Sequence, residues 1–222
     1  MQFSKNLSEN LEHLKQTLSL EKNFDVVYRA ITIGGKQACL LFVDGLTKDE
    51  VLLKVLQAWW SIKPEDMPKD AHGFSKKYMP YGEVSLVDNE KDMIVQLLSG
   101  ITAVLVDGYD KCLMLDCRTY PARGVEEPEK DKVLRGSRDG FVETLIFNTA
   151  LIRRRIRDPK LIMEILTAGN SSHTDIAVCY MDGRVDEELL NKIRNRIQNL
   201  RVDALTMNQE SLAEGIFPHK WF

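Results

Sequence analysis

The residues best suited to bind an anion lie in the run Arg135-Gly-Ser-Arg-Asp-Gly140, directly ahead of a segment with helical periodicity. A helix N-terminus offers free backbone N–H groups and a positive dipole end, and two arginines can clamp a phosphate between them. The glycine spacing of phosphate and dinucleotide loops is absent, and Asp139 puts negative charge where the anion would lie. In the alternative interpretation, Asp139 caps the helix while Arg135 and Arg138 brace a joint between two halves of the chain.

A second cationic cluster lies near the end of the same predicted helix and consists of Arg153, Arg154, Arg155 and Arg157. Successive helical residues are about 100° apart, so the first three arginines cannot all face one ligand. Cations in a last helical turn also stabilise the negative end of the helix dipole. Two interpretations stay open: salt bridges at the helix end or between subunits, and an interface with a partner or a membrane surface.

Three Asp-Gly pairs follow apolar strands, at Asp44-Gly45, Asp107-Gly108 and Asp182-Gly183. A carboxylate at a strand end can hold Mg²⁺ or act in acid–base chemistry, but Asp-Gly also forms ordinary turns in which glycine adopts a positive φ. No second acidic residue at ligand spacing accompanies any pair, which favours turns. The histidines are isolated, and neither a zinc pattern nor a nucleophile motif is present. The sequence therefore predicts no catalytic residue, no metal site, no cofactor and no enzymatic activity.

Composition excludes several classes of protein. The 222 residues are 44% hydrophobic and 28% charged, enough for a core that needs no disulfides. The net charge of −3 argues against nucleic acid as a partner. No run approaches the roughly 18 consecutive apolar residues of a membrane span. The cysteines, Cys39, Cys112, Cys117 and Cys179, lie in or beside apolar runs and predict buried, reduced thiols in a cytosolic environment.

Helices and strands alternate along the first part of the chain. Apolar periodicity predicts helices at 7–20, 48–60 and 89–99, strand pairs at 24–33 with 38–43 and at 101–106 with 112–120, and a short strand at 83–87. Residues 61–82 are rich in Pro, Lys and Gly and are predicted to be a surface loop. The pair Trp59-Trp60 follows a helical apolar face, which predicts one core residue and one exposed contact.

The second part repeats this order of elements. It predicts a helix at 139–156, strands at 161–167 and 175–181, a helix at 187–200, a short strand at 202–205 and a helix from 209. The fold class is therefore α/β, with two small subdomains containing mixed sheets, 1–118 and 139–222, joined by a linker at 119–138. The second repeat lacks a counterpart of the hairpin at 101–120, so the second subdomain is expected to be incomplete at its C-terminal end.

Two runs carry a resemblance to a known family. RGSRDGFVETLIFNTALIRRRIRDPKLIMEI at 135–165 contains R-G-x-R-x-G-F, then N-T-x-L-I-R-R-R-I, then D-P. LLSGITAVLVDGYDKCLMLDCRTYPARGVEEPEKDKVLRG at 97–136 places an Asp-Gly turn and Glu-Glu-Pro ahead of Arg-Gly. Both runs resemble the GerA-type spore germination proteins. The resemblance covers roughly residues 24–222 and is specific over 97–165.

The resemblance implies a function without catalysis. Family members are proteins of the spore inner membrane with a soluble N-terminal region followed by membrane spans, so this chain is similar to that region alone, facing the cytoplasm or spore core. The implied roles are complex assembly and signal or ion-release coupling, including as a channel component. Other germination membrane proteins and self-association are the implied partners. The implied fold has two lobes, reminiscent of solute-binding proteins, which leaves small-molecule binding in the cleft between subdomains as an alternative.

Overall fold

The computed structural model describes residues 1–79, 82–120, 140–200, 202–203, 212–213 and 215–216. The chain divides into two compact units, Met1–Pro159 and Lys160–Phe222. Both units combine helices with β-strands, which confirms the predicted α/β class. No helix among these residues is both long enough and apolar enough to cross a membrane.

The first unit is built on a five-stranded sheet with the order β1-β2-β4-β5-β3. The strands are β1 (Val26–Ile33), β2 (Lys36–Val43), β3 (Val84–Val87), β4 (Thr102–Val106) and β5 (Cys112–Leu115). Both predicted hairpins, β1-β2 and β4-β5, are confirmed. Every ladder in the described residues is antiparallel, whereas mixed sheets were expected. Tight connections such as Gly34-Gly35 permit only antiparallel neighbours, since a parallel pair needs a long crossover.

Helices cover both faces of this sheet. They are α1 (Leu7–Thr17), α2 (Asp49–Trp60), α3 (Ala71–Tyr78), α4 (Glu90–Leu97) and α5 (Leu145–Arg155), with a 3₁₀ turn at Pro64–Asp66. Alternation along β2 sends Cys39, Leu41 and Val43 to the core shared with α1, α4 and α5. The same alternation sends Ala38 and Leu40 to the core shared with α2 and α3. The unit therefore has three layers.

Short polar side chains cap α1, α3 and α4, as capping preferences predict, whereas α2 and α5 begin without a side-chain cap bond. Asn6 accepts hydrogen bonds from the backbone of Ser8 and Glu9 at the start of α1. Asn89 accepts a 2.9 Å bond from the backbone N–H of Asp92 in α4.

The prediction of a surface loop at 61–82 is wrong, because part of this segment forms α3. Phe74 of α3 is fully buried and packs edge-on against Trp59, with ring centroids 5.5 Å apart. The Trp59 indole N–H donates to the carbonyl oxygen of Tyr78 at 3.1 Å. A helix of eight residues offers too few periodic positions to stand out among Pro, Lys and Gly.

The second unit contains a hairpin and a helix, as predicted. Strands β6 (Leu161–Ala168) and β7 (Thr174–Met181) pair along their full length, from Leu161 opposite Met181 to Ala168 opposite Thr174. Helix α6 (Glu187–Gln198) follows, with the Asp186 carboxylate accepting from the Leu189 N–H at 3.1 Å. Of the predicted strand at 202–205, residues 202–203 are described and are not in a strand.

The border between the compact units falls after Pro159, further along the chain than the expected joint at 119–138. Helix α5 was expected to open the second subdomain and to begin at residue 139. It begins at Leu145 and belongs to the first unit, because Ala150 and Arg153 are buried within that unit. Most of the expected linker, 121–138, lies outside the described residues.

Candidate functional site

The predicted anion-binding residues Arg135, Arg138 and Asp139 lie outside the described residues. The anion cradle and the brace between subdomains therefore both stay predictions. The second predicted cluster, on α5, is described in full, and its four arginines have different surroundings.

Arg153 is buried inside the first unit, with 0% of its side chain exposed. Its Nε donates to Oδ2 of Asp25 at 2.7 Å and its Nη2 to Oδ1 of Asp25 at 3.0 Å, which is the two-pronged geometry that arginine favours with carboxylates. Weaker bonds join Nη1 to the Asp158 carbonyl at 3.3 Å and Nη2 to Asn23 Oδ1 at 3.4 Å. Arg153 therefore forms a salt bridge at the helix end, and its prediction as an interface residue is wrong.

Asn23 and Asp25 hold this guanidinium from the loop that enters β1. The Asn23 amide donates to the Leu18 carbonyl at 2.8 Å, and the Asp25 carbonyl accepts from the Asp44 N–H at 2.8 Å. Sequence reasoning missed both residues. They lie about 130 positions from Arg153, and their short polar side chains before a strand resemble any ordinary loop.

Gly45 provides the second attachment of α5. Its φ is +76°, and a β-carbon there would lie 3.0 Å from Ala150 Cβ and 3.1 Å from the Ile146 carbonyl oxygen. A side chain at this position would separate the turn from the helix. The turn at Gly45 and the Arg153–Asp25 pair thus fix α5 against the sheet at two points.

The other Asp-Gly pairs are also turns, with φ of +85° at Gly108 and +74° at Gly183. Asp107 accepts a 3.2 Å bond from the Leu7 N–H and so supports the start of α1. In the described part of the chain, no three His, Cys, Asp or Glu residues are grouped to hold a metal ion. The turn interpretation therefore accounts for these pairs.

Arg154 lies over the ring of Tyr120, with the guanidinium carbon 4.2 Å from the ring centroid. The Tyr120 hydroxyl donates to the Ser99 carbonyl at 3.3 Å and accepts from Arg118 Nη1 at 3.4 Å. Arg118 in turn pairs with Asp116 through Nε at 2.9 Å, and these hydrogen bonds hold the pKa of Asp116 below its usual value. The group ties the end of α5 to the segment that follows β5.

Arg155 and Arg157 have exposed side chains. The Arg157 Nε donates to the Arg154 carbonyl at 3.2 Å, which places a cation on one of the last carbonyls of the helix. An interface role for these two arginines stays a prediction.

A second charged cluster, which the sequence did not suggest, lies in the second unit. Arg194 of α6 donates through Nε to Oε2 of Glu164 at 2.8 Å and through Nη2 to the Tyr180 hydroxyl at 2.9 Å. The Tyr180 hydroxyl donates to Oε1 of Glu164 at 2.7 Å. Burial, followed by the nearby Glu164 carboxylate, raises the pKa of Tyr180 to about 12.

The cysteines divide into two groups. Cys39, Cys112 and Cys117 are buried, as predicted, and burial raises the pKa of the Cys39 thiol to about 12. Cys179 is exposed, so the prediction of burial is wrong at this position. Its neighbour Tyr180 points towards α6, and alternation along β7 directs Cys179 to the opposite face.

These groups have in common that their polar atoms are satisfied from within the fold. In the described residues, every buried side-chain nitrogen and oxygen has a hydrogen-bond partner. An Arg–Asp pair closed by a backbone carbonyl and an amide has no unpaired atom to offer a substrate. The Arg153–Asp25 pair therefore fixes the position of α5, the helix that carries the R-R-R motif.

The Bacillus/Clostridium GerA spore germination protein family matches residues 12–222. This chain belongs to that family. The resemblance drawn from the runs at 97–136 and 135–165 is thereby confirmed.

Two relatives show how much of such a protein this chain represents. Stage V sporulation protein AF of Bacillus subtilis (strain 168) is 34% identical over 214 residues, which are 96% of this chain and 43% of that protein. Spore germination protein B1 of the same organism is 31% identical over 213 residues, covering 92% of this chain and 42% of that protein. The chain therefore spans less than half the length of these curated relatives.

The fold is also found in a solved structure. The N-terminal domain of the A subunit of the Bacillus megaterium spore germinant receptor GerK3 is similar with a TM-score of 0.70. The match covers 90% of this chain and 73% of that domain at 24% identity, and it supports the fold alone.

Proposed function

We propose that this chain is the N-terminal region of a spore germination membrane protein of the stage V sporulation protein AF type. In this proposal the region faces the cytoplasm or spore core at the inner membrane. It assembles a germination complex and couples a signal to ion release. The observation that carries the proposal is the match to stage V sporulation protein AF, which covers 96% of this chain and 43% of that protein.

The geometry of α5 supports the assembly role. Arg153 and Gly45 fix the helix to the sheet, so its outer side chains have defined positions on the first unit. Arg155 and Arg157 are exposed at the helix end and are the residues through which we expect contact with other germination membrane proteins or a second copy.

Copurification from spores tests this proposal. The full-length protein, tagged and expressed in sporulating cells, is expected to bring down other germination proteins. Arg155→Glu with Arg157→Glu is expected to reduce their recovery and to slow ion release after germinant addition. The matched control, Lys91→Glu, reverses an exposed cation on α4 and should leave both readouts unchanged.

Two results would overturn the proposal. One is a tagged full-length protein that recovers no other germination protein. The other is a gene deletion that leaves the rate and extent of ion release at the parental level.

A further inference from the structure

Strand β1 lies at one end of the five-stranded sheet and pairs with β2 on one side only. The Asp25 carbonyl accepts from the Asp44 N–H, and backbone groups alternate along a strand, so the odd-numbered residues of β1 bond to β2. The N–H and C=O groups of Tyr28, Ala30 and Thr32 therefore point outward. In the part of the chain that the structure describes, no hydrogen bond occupies these outward groups, so the edge is open to a further strand.

The second half of β1 is uncovered on both faces of the sheet. Ala30 pairs with Cys39 and lies on the α1 face, whereas Arg29 pairs with Leu40 and lies on the α2 face. Ala30, Arg29 and Thr32 are nevertheless all exposed. No helix of the described residues covers them, which leaves room beside the edge for an added strand.

The side of α2 nearest this edge carries two exposed apolar side chains. Helix α2 contacts β1, while Trp59 packs against Phe74 of α3, which itself contacts β3 and β5. Val55 is half-buried on the α3 side of α2, whereas Leu53 and Trp60, on the opposite side of the helix, are 55% and 84% exposed. The structure thus confirms that Trp59 is a core residue and Trp60 an exposed one.

Helix α2 runs parallel to β1, with unlike charges at its two ends. Its first residue, Asp49, follows the end of β2 that pairs with the start of β1. Just after the helix, Ile62 lies 3.2 Å from the β-carbon position of Gly34, in the turn that follows β1. Asp49 and Glu50 are exposed at the first end, and Lys63 is exposed at the second. An antiparallel copy of the same helix would therefore bring carboxylates towards a lysine.

We infer that the outer edge of β1 pairs antiparallel with β1 of a second copy of this chain. In the register centred on Ala30, that residue faces its own counterpart, and Tyr28 faces Thr32, which adds about six hydrogen bonds. Arg29 then lies opposite Ile31 of the second copy. The register centred on Arg29 would instead set two arginines directly opposite each other, which is unfavourable.

The groups around the edge favour a second copy over other partners. The two-fold axis of this pairing sets the two α2 helices antiparallel above the joined strands. Leu53 and Trp60 of each copy then face those of the other across the axis, and Asp49 and Glu50 of one copy approach Lys63 of the second copy. An acidic or a basic partner would match the charge at only one end of the edge.

Sedimentation equilibrium of the 222-residue chain tests the inference. The chain is expected to show a monomer–dimer equilibrium. Ala30→Pro removes an outward N–H that bonds to nothing within one copy, and it should raise the dimer dissociation constant by about tenfold or more. Ala30→Val keeps this N–H and is the matched control, which should leave the dissociation constant unchanged. Circular dichroism of each variant separates lost pairing from lost folding.

Cysteine crosslinking tests the register independently of the proline variant. The background is Cys179→Ser, which removes the exposed cysteine and leaves three buried ones. On oxidation, Ala30→Cys should give a covalent dimer, because directly paired residues lie about 5.5 Å apart between Cα atoms, within disulfide range. Arg29→Cys is equally accessible but should not crosslink, because its counterpart lies more than about 7 Å away in this register.

Three outcomes would refute the inference. They are a chain that stays monomeric up to about 1 mM, a dimer that Ala30→Pro leaves unchanged, and crosslinking through Arg29→Cys in place of Ala30→Cys. The inference does not rest on the proposed function, because it involves neither Arg155 nor Arg157. Recovery of germination proteins together with a monomeric chain would refute this inference alone. A dimer together with no recovered germination protein would refute the proposed function alone.

Discussion

The two compact units each contain an arginine held by a carboxylate with two-pronged geometry, but in different surroundings. In the first unit, the Arg153 and Asp25 side chains are 0% and 1% exposed. In the second, the Arg194 and Glu164 side chains are 24% and 16% exposed, and the Tyr180 hydroxyl joins them. The bonding pattern is nearly the same, and access to water is what distinguishes the two pairs.

This difference in burial separates two properties of an ion pair: the stability that it adds to the fold and the position that it specifies for a helix. Desolvation of two charges offsets much of their attraction, so a buried pair adds little net stability compared with an apolar pair of the same size. Removal of one partner is costly, because the other charge stays buried without compensation. The Arg153–Asp25 pair therefore specifies where α5 lies. In the Arg194–Glu164 pair, water can solvate the charge that remains when one partner is replaced, so substitution is expected to cost less there.

The largest effect is expected at the buried pair. Asp25→Asn and Arg153→Met should each lower the free energy of unfolding by about 3–5 kcal/mol. Each variant leaves the other residue's charge buried without its charged partner. Urea denaturation gives the total, and hydrogen exchange at the amides of α5 locates the loss. Arg157→Ala, at an exposed position two residues after the end of α5, is the matched control and should stay within about 0.5 kcal/mol of the parent.

The double variant Asp25→Leu with Arg153→Met, measured beside the single variants Asp25→Leu and Arg153→Met, tests whether the two residues act as a pair. It removes both charges together, so it should be more stable than either single variant. A double variant that loses as much as the sum of the single losses would show that Arg153 and Asp25 act independently, against the pairing described here.

An intermediate effect is expected in the second unit. A double-mutant cycle with Glu164→Gln and Arg194→Met should give a coupling energy of about 1–2 kcal/mol, less than at the buried pair. The exposed pair Glu188–Lys192 on α6, 2.7 Å apart, is the internal control and should give about 0.3–0.5 kcal/mol. Equal coupling energies for the Glu164–Arg194 and Glu188–Lys192 pairs would contradict the idea that burial determines how strongly an ion pair is coupled.

The elements of the two units could be predicted because periodicity is a local property. Alternation marked the hairpins β1-β2 and β6-β7, and helical spacing marked α2, α4 and α6. The predictions failed where the signal was short or its register uncertain. Helix α3 has eight residues, and the start of α5 was placed six residues too early, at 139 in place of Leu145.

The charged clusters could not be predicted, because their partners are distant in sequence. The R-R-R run showed that three arginines point in different directions, but nothing in it distinguishes the buried Arg153 from the exposed Arg155. Asp25 is the decisive partner and lies 128 positions away. Only the folded sheet brings the loop before β1 to the end of α5.

A smaller and pH-dependent effect is expected at Glu90, a buried carboxylate whose partners are weaker than arginine. Burial acts to raise its pKa, but bonds from the Thr17 hydroxyl at 2.7 Å and from His13 at 2.9 Å outweigh burial, and the pKa is lowered. A lowered folded pKa stabilises the fold above the ordinary value of 4.5, and this stability is lost as pH falls through the folded pKa.

Glu90→Gln tests this relation. Near neutral pH it should lower the free energy of unfolding by about 1 kcal/mol, and the difference from the parent should shrink as the solution is acidified below 4.5. Urea denaturation over a pH series gives both curves. Curves that stay parallel through this range would show that the Glu90 charge does not stabilise the fold.

The smallest effect is expected where the half-buried Arg154 covers the Tyr120 ring. A guanidinium 4.2 Å from a ring centroid is attracted by the negative face of the ring, which at such sites contributes about 0.5–1 kcal/mol. Arg154→Ala should therefore lower the free energy of unfolding by about that amount, measured by urea denaturation.

Two changes at Tyr120 decide whether the ring or its hydroxyl holds Arg154. Tyr120→Phe keeps the ring and removes only the hydroxyl bonds of 3.3 Å to Ser99 and 3.4 Å to Arg118, whereas Tyr120→Leu removes the ring as well. If the ring is responsible, the coupling with Arg154→Ala should persist in the phenylalanine variant and vanish in the leucine variant. Coupling lost in both variants would assign the contact to the hydroxyl. The contact of Arg154 would then depend on hydrogen bonds, as that of its buried neighbour Arg153 does at Asp25.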